Sequence, residues 1–488
     1  MEFQGKIYIE NGVITKMTPV DGFIEIVSEG ESEKYDNAWA YPAFVDAHCH
    51  LAGLGMKLLE NDFSGCRSAV ECCDLAKVGG KTRKGWITGR GWNQELWLSN
   101  EMPNKKLLDE LFPDEPVCFT RVDGHAVWVN SRSLEIAGIN EKTEDPLGGK
   151  ISRDKSGEAT GILLDNAMQL VQEQIPDYSK EQIRTFIEKA QEELLKSGIC
   201  GVHDMDVEPE FLDVLKEMAT SDELKIDVAA YVRAQDDLGW VQPERIGRLN
   251  IIGAKFFLDG ALGSRSASLL EDYSDDPGNR GVAIMNEVEF YEKCIDAIQK
   301  GFDIAVHAIG DAANRVAINV YKKLTREGKT HVHKLRLEHA QTISREDLNK
   351  LENSGVICSM QAIHCTSDAR MAEQRLGERV IDAYRWRSLS ERGMMLVGGS
   401  DFPVEPHDAL CGIDAFVNRR PAGESEPWCG DERISLYEAL KAYTVNTYAA
   451  LGEDGGKLNE CYKARIVLLD RKLDEGNILQ ANVLAVHC

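Results

Sequence analysis

The sequence predicts an α/β protein: a (β/α)8 TIM barrel that carries a small β-sandwich made from both ends of the chain and a large insertion after the first barrel strand. Three observations lead there. From about residue 180 onward one unit recurs, an amphipathic helical stretch, a glycine and a short β-branched run. Eight strand-like runs can be counted, the number that closes a parallel barrel. The stretch 52–165 between the first two is too long for a plain loop.

Taken in order, residues 1–41 offer "KIYIENGVITKM" and "GFIEIV", and residues 452–488 offer "ARIVLLD" and "ANVLAV". Chain ends commonly lie close together, so these runs pair as one sandwich. The barrel takes 42–51 and 166–451, with its first strand at 42–48 in "PAFVDAHCHL". The insertion holds "GWITGRGWNQELW", "PVCFTRVDGHAVWVNSRSLEIAGI" and "GGKISRDKSGEATGILLD" and reads as a folded unit. It leaves from the catalytic end of strand one, where it can serve as a lid. The remaining strands fall at 199–204, 225–232, 251–257, 303–308, 335–340, 356–361 and 395–400. Gly198, Gly301, Gly328, Gly355 and Gly393 mark helix-to-strand turns, because glycine closes a helix in the left-handed conformation. Ser179/Gln182 and Ser344/Asp347 stand at capping-box spacing. A doubly wound sheet would carry a glycine-rich phosphate loop after its first strand, and the sequence has none there.

Composition narrows the partners. Against 56 basic side chains stand 81 acidic ones, and the net charge of -25 repels phosphate backbones and anionic membrane surfaces. The expectation is a small-molecule substrate, with neither nucleic acid nor membrane as partner; a homo-oligomer is compatible with the sequence. The N-terminal "MEFQGKIYIENGVITKM" lacks an export signal and no window is apolar enough to span a membrane, which points to the cytoplasm. The 13 cysteines are scattered without C-x-x-C pairs, so most read as buried thiols.

His48 and His50 lie two apart on a strand, hence on one face, where both rings can turn to one ion. His331 and His333 share that spacing but fall between lysines ahead of a strand, and read as a solvated turn. What sets the first pair apart is that His307, His339 and Asp401 also close barrel strands. One strand-end histidine is ordinarily structural. Four with an aspartate at one rim suit a divalent metal, zinc by default, as one ion or two. Lys255, among Ile, Ala and Phe in "IIGAKFFLDG", loses hydration there, so its amine is favoured uncharged; its plain alternative is a lysine paired with Asp259.

These residues resemble the amidohydrolase superfamily. "RVDGHAVWVNSRSLEIAGI", "KFFLDGALGSRSASLLEDYSDDPGNRG", "AVHAIGDAANRVAINVY", "RLEHAQ", "SMQAIHCTSD", "GSDFPVEP" and "ALKAYTVNTYAALG" are similar to its branch of predicted metal-dependent hydrolases that includes N-substituted formamide deformylase, over residues 38–455. The resemblance implies one metal on His48 and His50, a second on His307 and His339, and an N-carboxylated Lys255 bridging them. It also implies cleavage of a non-peptide C–N bond, in an amide, N-substituted formamide or cyclic amide, by a metal-activated water. Asp401 would be both metal ligand and general acid/base. A general base alone supplies about 10²–10⁴ in rate, so the metal must do most. The rivals are a mononuclear deaminase-type enzyme, in which Lys255 stays an amine, and a non-catalytic binding or regulatory barrel. One departure lies in the sandwich, where "NECYKARIVLLD" places Arg465 at the family's aspartate.

Further pocket candidates are His125 and Trp92 in the insertion, with Trp97 beside the latter. His203 at the tip of strand two, His364 after strand seven, and Arg265, Arg280 and Asp311 in the loops after strands four and five complete the set. Each has a structural alternative: a hydrogen bond, an insertion core or a surface ion pair.

Overall fold

The computed structural model describes residues 1–488 apart from Lys81, Thr82, Asp123, Asp236 and His331. Eight parallel strands follow one another around a barrel: β1 Phe44–Cys49, β2 Ile199–Val207, β3 Asp227–Arg233, β4 Leu249–Phe257, β5 Asp303–Ala308, β6 Leu335–His339, β7 Ile357–Gln361 and β8 Met395–Gly399. Each overlaps the run expected for it. Chain order equals spatial order, as helical crossovers of one hand require. The circle closes beyond the tips of β1 and β8, where Asp401 N donates to His48 O at 2.7 Å and His50 N to Phe402 O at 2.9 Å. β1 is buried throughout, and so is β6, because parallel strands clothed in helices have no wet face.

The helix signals hold. Gly198 and Gly301 adopt φ of +80° and +92° just past helices 180–196 and 287–299. Ser179 Oγ accepts from Gln182 N at 3.3 Å, while Gln182 Oε1 accepts from Ser179 N at 3.1 Å. Ser344 Oγ accepts from Asp347 N at 3.2 Å. No helix among the described residues is long and apolar enough to cross a membrane.

Both ends of the chain build β-structure. Four strands from residues 5–36 form one sheet, and Trp39–Pro42, Ile466–Leu469 and Val483–His487 form another. Ile7, Ile9, Ile14, Ile24 and Ile26 meet Ala40, Ile466 and Leu468 in a shared core. Arg465 leaves this core to pair with Asp227 at the start of β3, Nη2 lying 3.2 Å from Oδ2. Arg465→Asp should therefore set two carboxylates together and cost about 1–3 kcal/mol in a urea unfolding series. Adding Asp227→Arg should restore most of it; no recovery would detach Arg465 from Asp227.

Two details depart from the sequence reading. Cys200 and Cys488 form a disulfide, with Cα atoms 5.7 Å apart across a separation of 288 residues. Eleven cysteines are free, and eight of these are buried as expected. His331 lies outside the described residues, but its companion His333 is no solvated turn residue: its side chain is only 14% exposed and Nδ1 stands 3.6 Å from Asp303 Oδ1.

Ala52–Lys189 forms a second compact unit. Its six-stranded sheet runs in the order Gly149–Arg153, Ala159–Asp165, Ala126–Val129, Val117–Arg121, Ile87–Trp92, Asn61–Asp62. Alternation along the strands sends Trp92, Phe119 and Trp128 into one core and Val127, Val129 and Leu163 into another.

Candidate metal centre

The centre is assembled at the C-terminal ends of β1, β4, β5, β6 and β8, the end where barrel sites lie. Asp46 stitches β1 to β8: its carboxylate accepts from His48 N at 3.0 Å, Ser400 N at 3.1 Å and Ser400 Oγ at 2.6 Å. Burial pushes its pKa up to about 7. Cys49 points away, as the strand period requires, with Sγ 3.6 Å from His203 O.

His48 is buried, its Nδ1 donating to Glu338 Oε2 at 2.6 Å and its Nε2 lying 3.5 Å from Asp401 Oδ1. His50 commits Nδ1 to Met205 O at 3.0 Å and brings Nε2 to 3.1 Å from the same Asp401 oxygen. With its Nδ1 taken, His48 has Nε2 left for a cation, whereas His50 Nε2 faces Asp401. His339 packs its ring 4.8 Å from His48 and 4.5 Å from His307. Its Nδ1 is buried without a partner. His307 directs Nε2 to Gly260 O at 3.2 Å. Burial, helped by Lys255, lowers the His307 pKa to about 3, so the ring is a neutral potential ligand. His339 and Asp401 adopt φ of +67° and +58°, left-handed conformations that non-glycine residues keep only when their surroundings hold them.

His48, His339 and Asp401 each offer one ligand atom, all within 4.8 Å of one another, and all three residues are buried. This is a metal-binding site of two histidines and one aspartate. Lys255 on β4 is buried, its Nζ without a hydrogen-bond partner and 4.8 Å from the Phe257 ring centroid. Burial lowers its pKa, against the pull of Glu338 and Asp401. An enclosed carboxylate, converging imidazole nitrogens and an orphaned amine fit a divalent cation.

His364, in helix 362–376 after β7, stands on the far side of Asp401 with Nε2 3.4 Å from Oδ2. Its Nδ1 is 3.0 Å from Glu405 Oε1. Burial opposes its charged form, but the two carboxylates prevail and raise its pKa to about 10. Burial likewise opposes ionisation of Asp401, and hydrogen bonds from His364 and His50 overcome it, holding the carboxyl well below its ordinary range.

The other barrel candidates lie elsewhere. His203 sits within β2 with Nδ1 2.7 Å from Arg336 Nη1, inside the barrel rather than at a strand tip. Arg265 pairs with Asp275 at 2.9 Å and Arg280 with Asp272 at 2.7 Å. Asp311 accepts from Leu270 N at 2.8 Å. These three brace the loop after β4. Asp259 holds that loop too, accepting from Ser268 N at 2.9 Å and Gly310 N at 2.7 Å instead of pairing with Lys255. In the second unit, His125 directs Nδ1 to Asp165 Oδ1 at 2.9 Å with its side chain 72% exposed, and Trp92 is enclosed in the aromatic core. Sequence reasoning missed Arg336, Glu338 and Glu405. A charged pair two apart inside the apolar run "LRLEHA" was the available signal for the first two.

Fold and site together define a metal-dependent hydrolase. The chain belongs to the Amidohydrolase family, whose profile it matches over residues 36–486. It is 33% identical over 482 residues to the putative amidohydrolase YtcJ of Bacillus subtilis, covering 95% of this chain and 90% of that protein. It is 23% identical over 454 residues to N-substituted formamide deformylase of Arthrobacter pascens, covering 88% and 83%. The crystal structure of an uncharacterized metal-dependent hydrolase from Pyrococcus furiosus superposes with a TM-score of 0.79 at 30% identity, covering 96% of this chain and 99% of that one.

Proposed function

We propose that the protein hydrolyses a non-peptide C–N bond of a small molecule, in an amide, N-substituted formamide or cyclic amide, at one divalent cation held by His48, His339 and Asp401. The convergence of those three buried ligands within 4.8 Å carries this reading. The deformylase relative supports the substrate class, and the nitrogen and oxygen donors suit zinc. Held by His48, His339 and Asp401, zinc would supply Lewis acidity toward a carbonyl and would lower the pKa of water from about 15.7 to about 7. Asp401 accepts the proton of the attacking water and passes it to the leaving nitrogen. His50, its side chain 36% exposed, steadies Oδ1 from the solvent side, and His364 steadies Oδ2. The eleven free cysteines favour a cytoplasmic setting, and the Cys200–Cys488 disulfide opposes it.

A second reading has two cations bridged by carboxylated Lys255. It is favoured by the unpartnered Nζ and by the His307 ring 4.5 Å from His339. A deaminase-type enzyme would keep the single cation and the free amine. Metal analysis of the purified chain, with the intact mass of its Lys255 peptide, decides. One zinc per chain, unchanged in Lys255→Met, is expected. Two per chain with a carbamate would install the second reading, and none would end both. A screen of N-formyl amines, N-acyl amines, cyclic amides and aminated heterocycles then separates amide hydrolysis from deamination.

A further inference from the structure

We propose that Arg336 is the positioning residue for the His48 side of the centre, fixing that residue's main chain and ring together; this rests on the metal reading above. Arg336 lies on β6 and is fully buried inside the barrel. Its guanidinium reaches strands all around it. Nη2 donates to Ala47 O on β1 at 2.7 Å and to Ser359 Oγ on β7 at 3.3 Å. Nη1 donates to Tyr231 Oη on β3 at 3.2 Å and to His203 Nδ1 on β2 at 2.7 Å. Nε donates to Glu338 Oε1 at 2.8 Å.

Two of these contacts converge on one ligand. Ala47 O belongs to the peptide group that ends at the His48 nitrogen, so the bond from Nη2 sets the main chain from which the ring projects. Glu338, held at Oε1 by Nε and at Oε2 by Nη2 at 3.3 Å, accepts at Oε2 a hydrogen bond from His48 Nδ1 at 2.6 Å. That bond selects the tautomer in which Nε2 carries the lone pair. A planar fork of five N–H donors can serve both tasks at once, whereas a lysine ammonium at the end of a flexible stem cannot. The arrangement is specific to His48. His50 is held instead by a main-chain carbonyl, and His339 Nδ1 has no partner. His203, accepting at Nδ1, joins the same scaffold.

The test is zinc affinity of the full chain by competition with a chromophoric chelator, with the unfolding midpoint recorded for every variant. Arg336→Lys and Glu338→Gln should each weaken zinc about 10–100-fold. Arg419→Lys is the control. Arg419 is also fully buried, but it is bound to the carbonyls of Ala383, Tyr384 and Trp428, and its loss should leave zinc affinity unchanged. In a His48→Ala background, Arg336→Lys should add no further loss, because its target is gone. Parental affinity in both Arg336→Lys and Glu338→Gln would overturn the proposal, as would an undiminished further loss in the His48→Ala background. Should Arg336→Lys not fold, the isosteric Glu338→Gln still decides. A parent chain that takes up no zinc is a separate result, which ends the metal reading and this proposal with it.

Discussion

Asp401→Asn should lower turnover by about 10²–10⁴, some 3–5 kcal/mol of barrier, while leaving the fold intact. The substitution keeps size and one carbonyl oxygen. It removes the negative charge that two histidines hold in place, with His50 Nε2 at 3.1 Å and His364 Nε2 at 3.4 Å. An amide can neither take a proton from water at neutral pH nor return one to a leaving amine. Zinc should also bind less tightly, because a carboxylate ligand has become a neutral one. The measurement is kcat and kcat/KM at saturating zinc on the best substrate from the screen, beside a melting curve. Undiminished turnover in a zinc-loaded, folded variant would remove Asp401 from proton transfer.

The second large effect is on stability. Trp92→Ala should cost about 3–5 kcal/mol. Trp92 is fully buried, donates Nε1–H to Phe119 O at 2.8 Å, and packs 5.9 Å from Trp97 and 6.5 Å from Trp128. Removing it leaves a cavity among large rings and deletes the hydrogen bond to Phe119 O. Because its contacts lie within Ala52–Lys189, calorimetry should show that unit melting earlier while the transition of the barrel unit moves little. An unchanged melting curve with a raised KM would instead make Trp92 a substrate contact.

The barrel was legible because its signal is local. A helix, a glycine and a β-branched run are consecutive in sequence, and the repeat of that unit counts the strands. His48 and His50 were legible for the same reason, since a period of two puts them on one face without reference to anything else. Lys255 showed itself as a charge inside an apolar run. The insertion's aromatic residues announced a folded unit, but which of them would be core was hidden. Trp92 and His125 come from the same insertion, yet one is enclosed and the other 72% exposed.

The sequence by itself determined the barrel, the β-structure built from both ends and the amidohydrolase family, and it singled out His48, His339 and Asp401 among its rim candidates. Only the tertiary structure decided which of them share a point in space, and what stands behind them. Arg336 and Glu338 are two letters in a strand, and their meaning depends on Ala47, His203, Tyr231 and Ser359 arriving from four other strands. Cys200 finds Cys488 across 288 residues in the same way. Strand and helix patterns come from forces between neighbours along the chain, whereas buried polar partners are chosen by closure of the barrel, which no local spacing encodes.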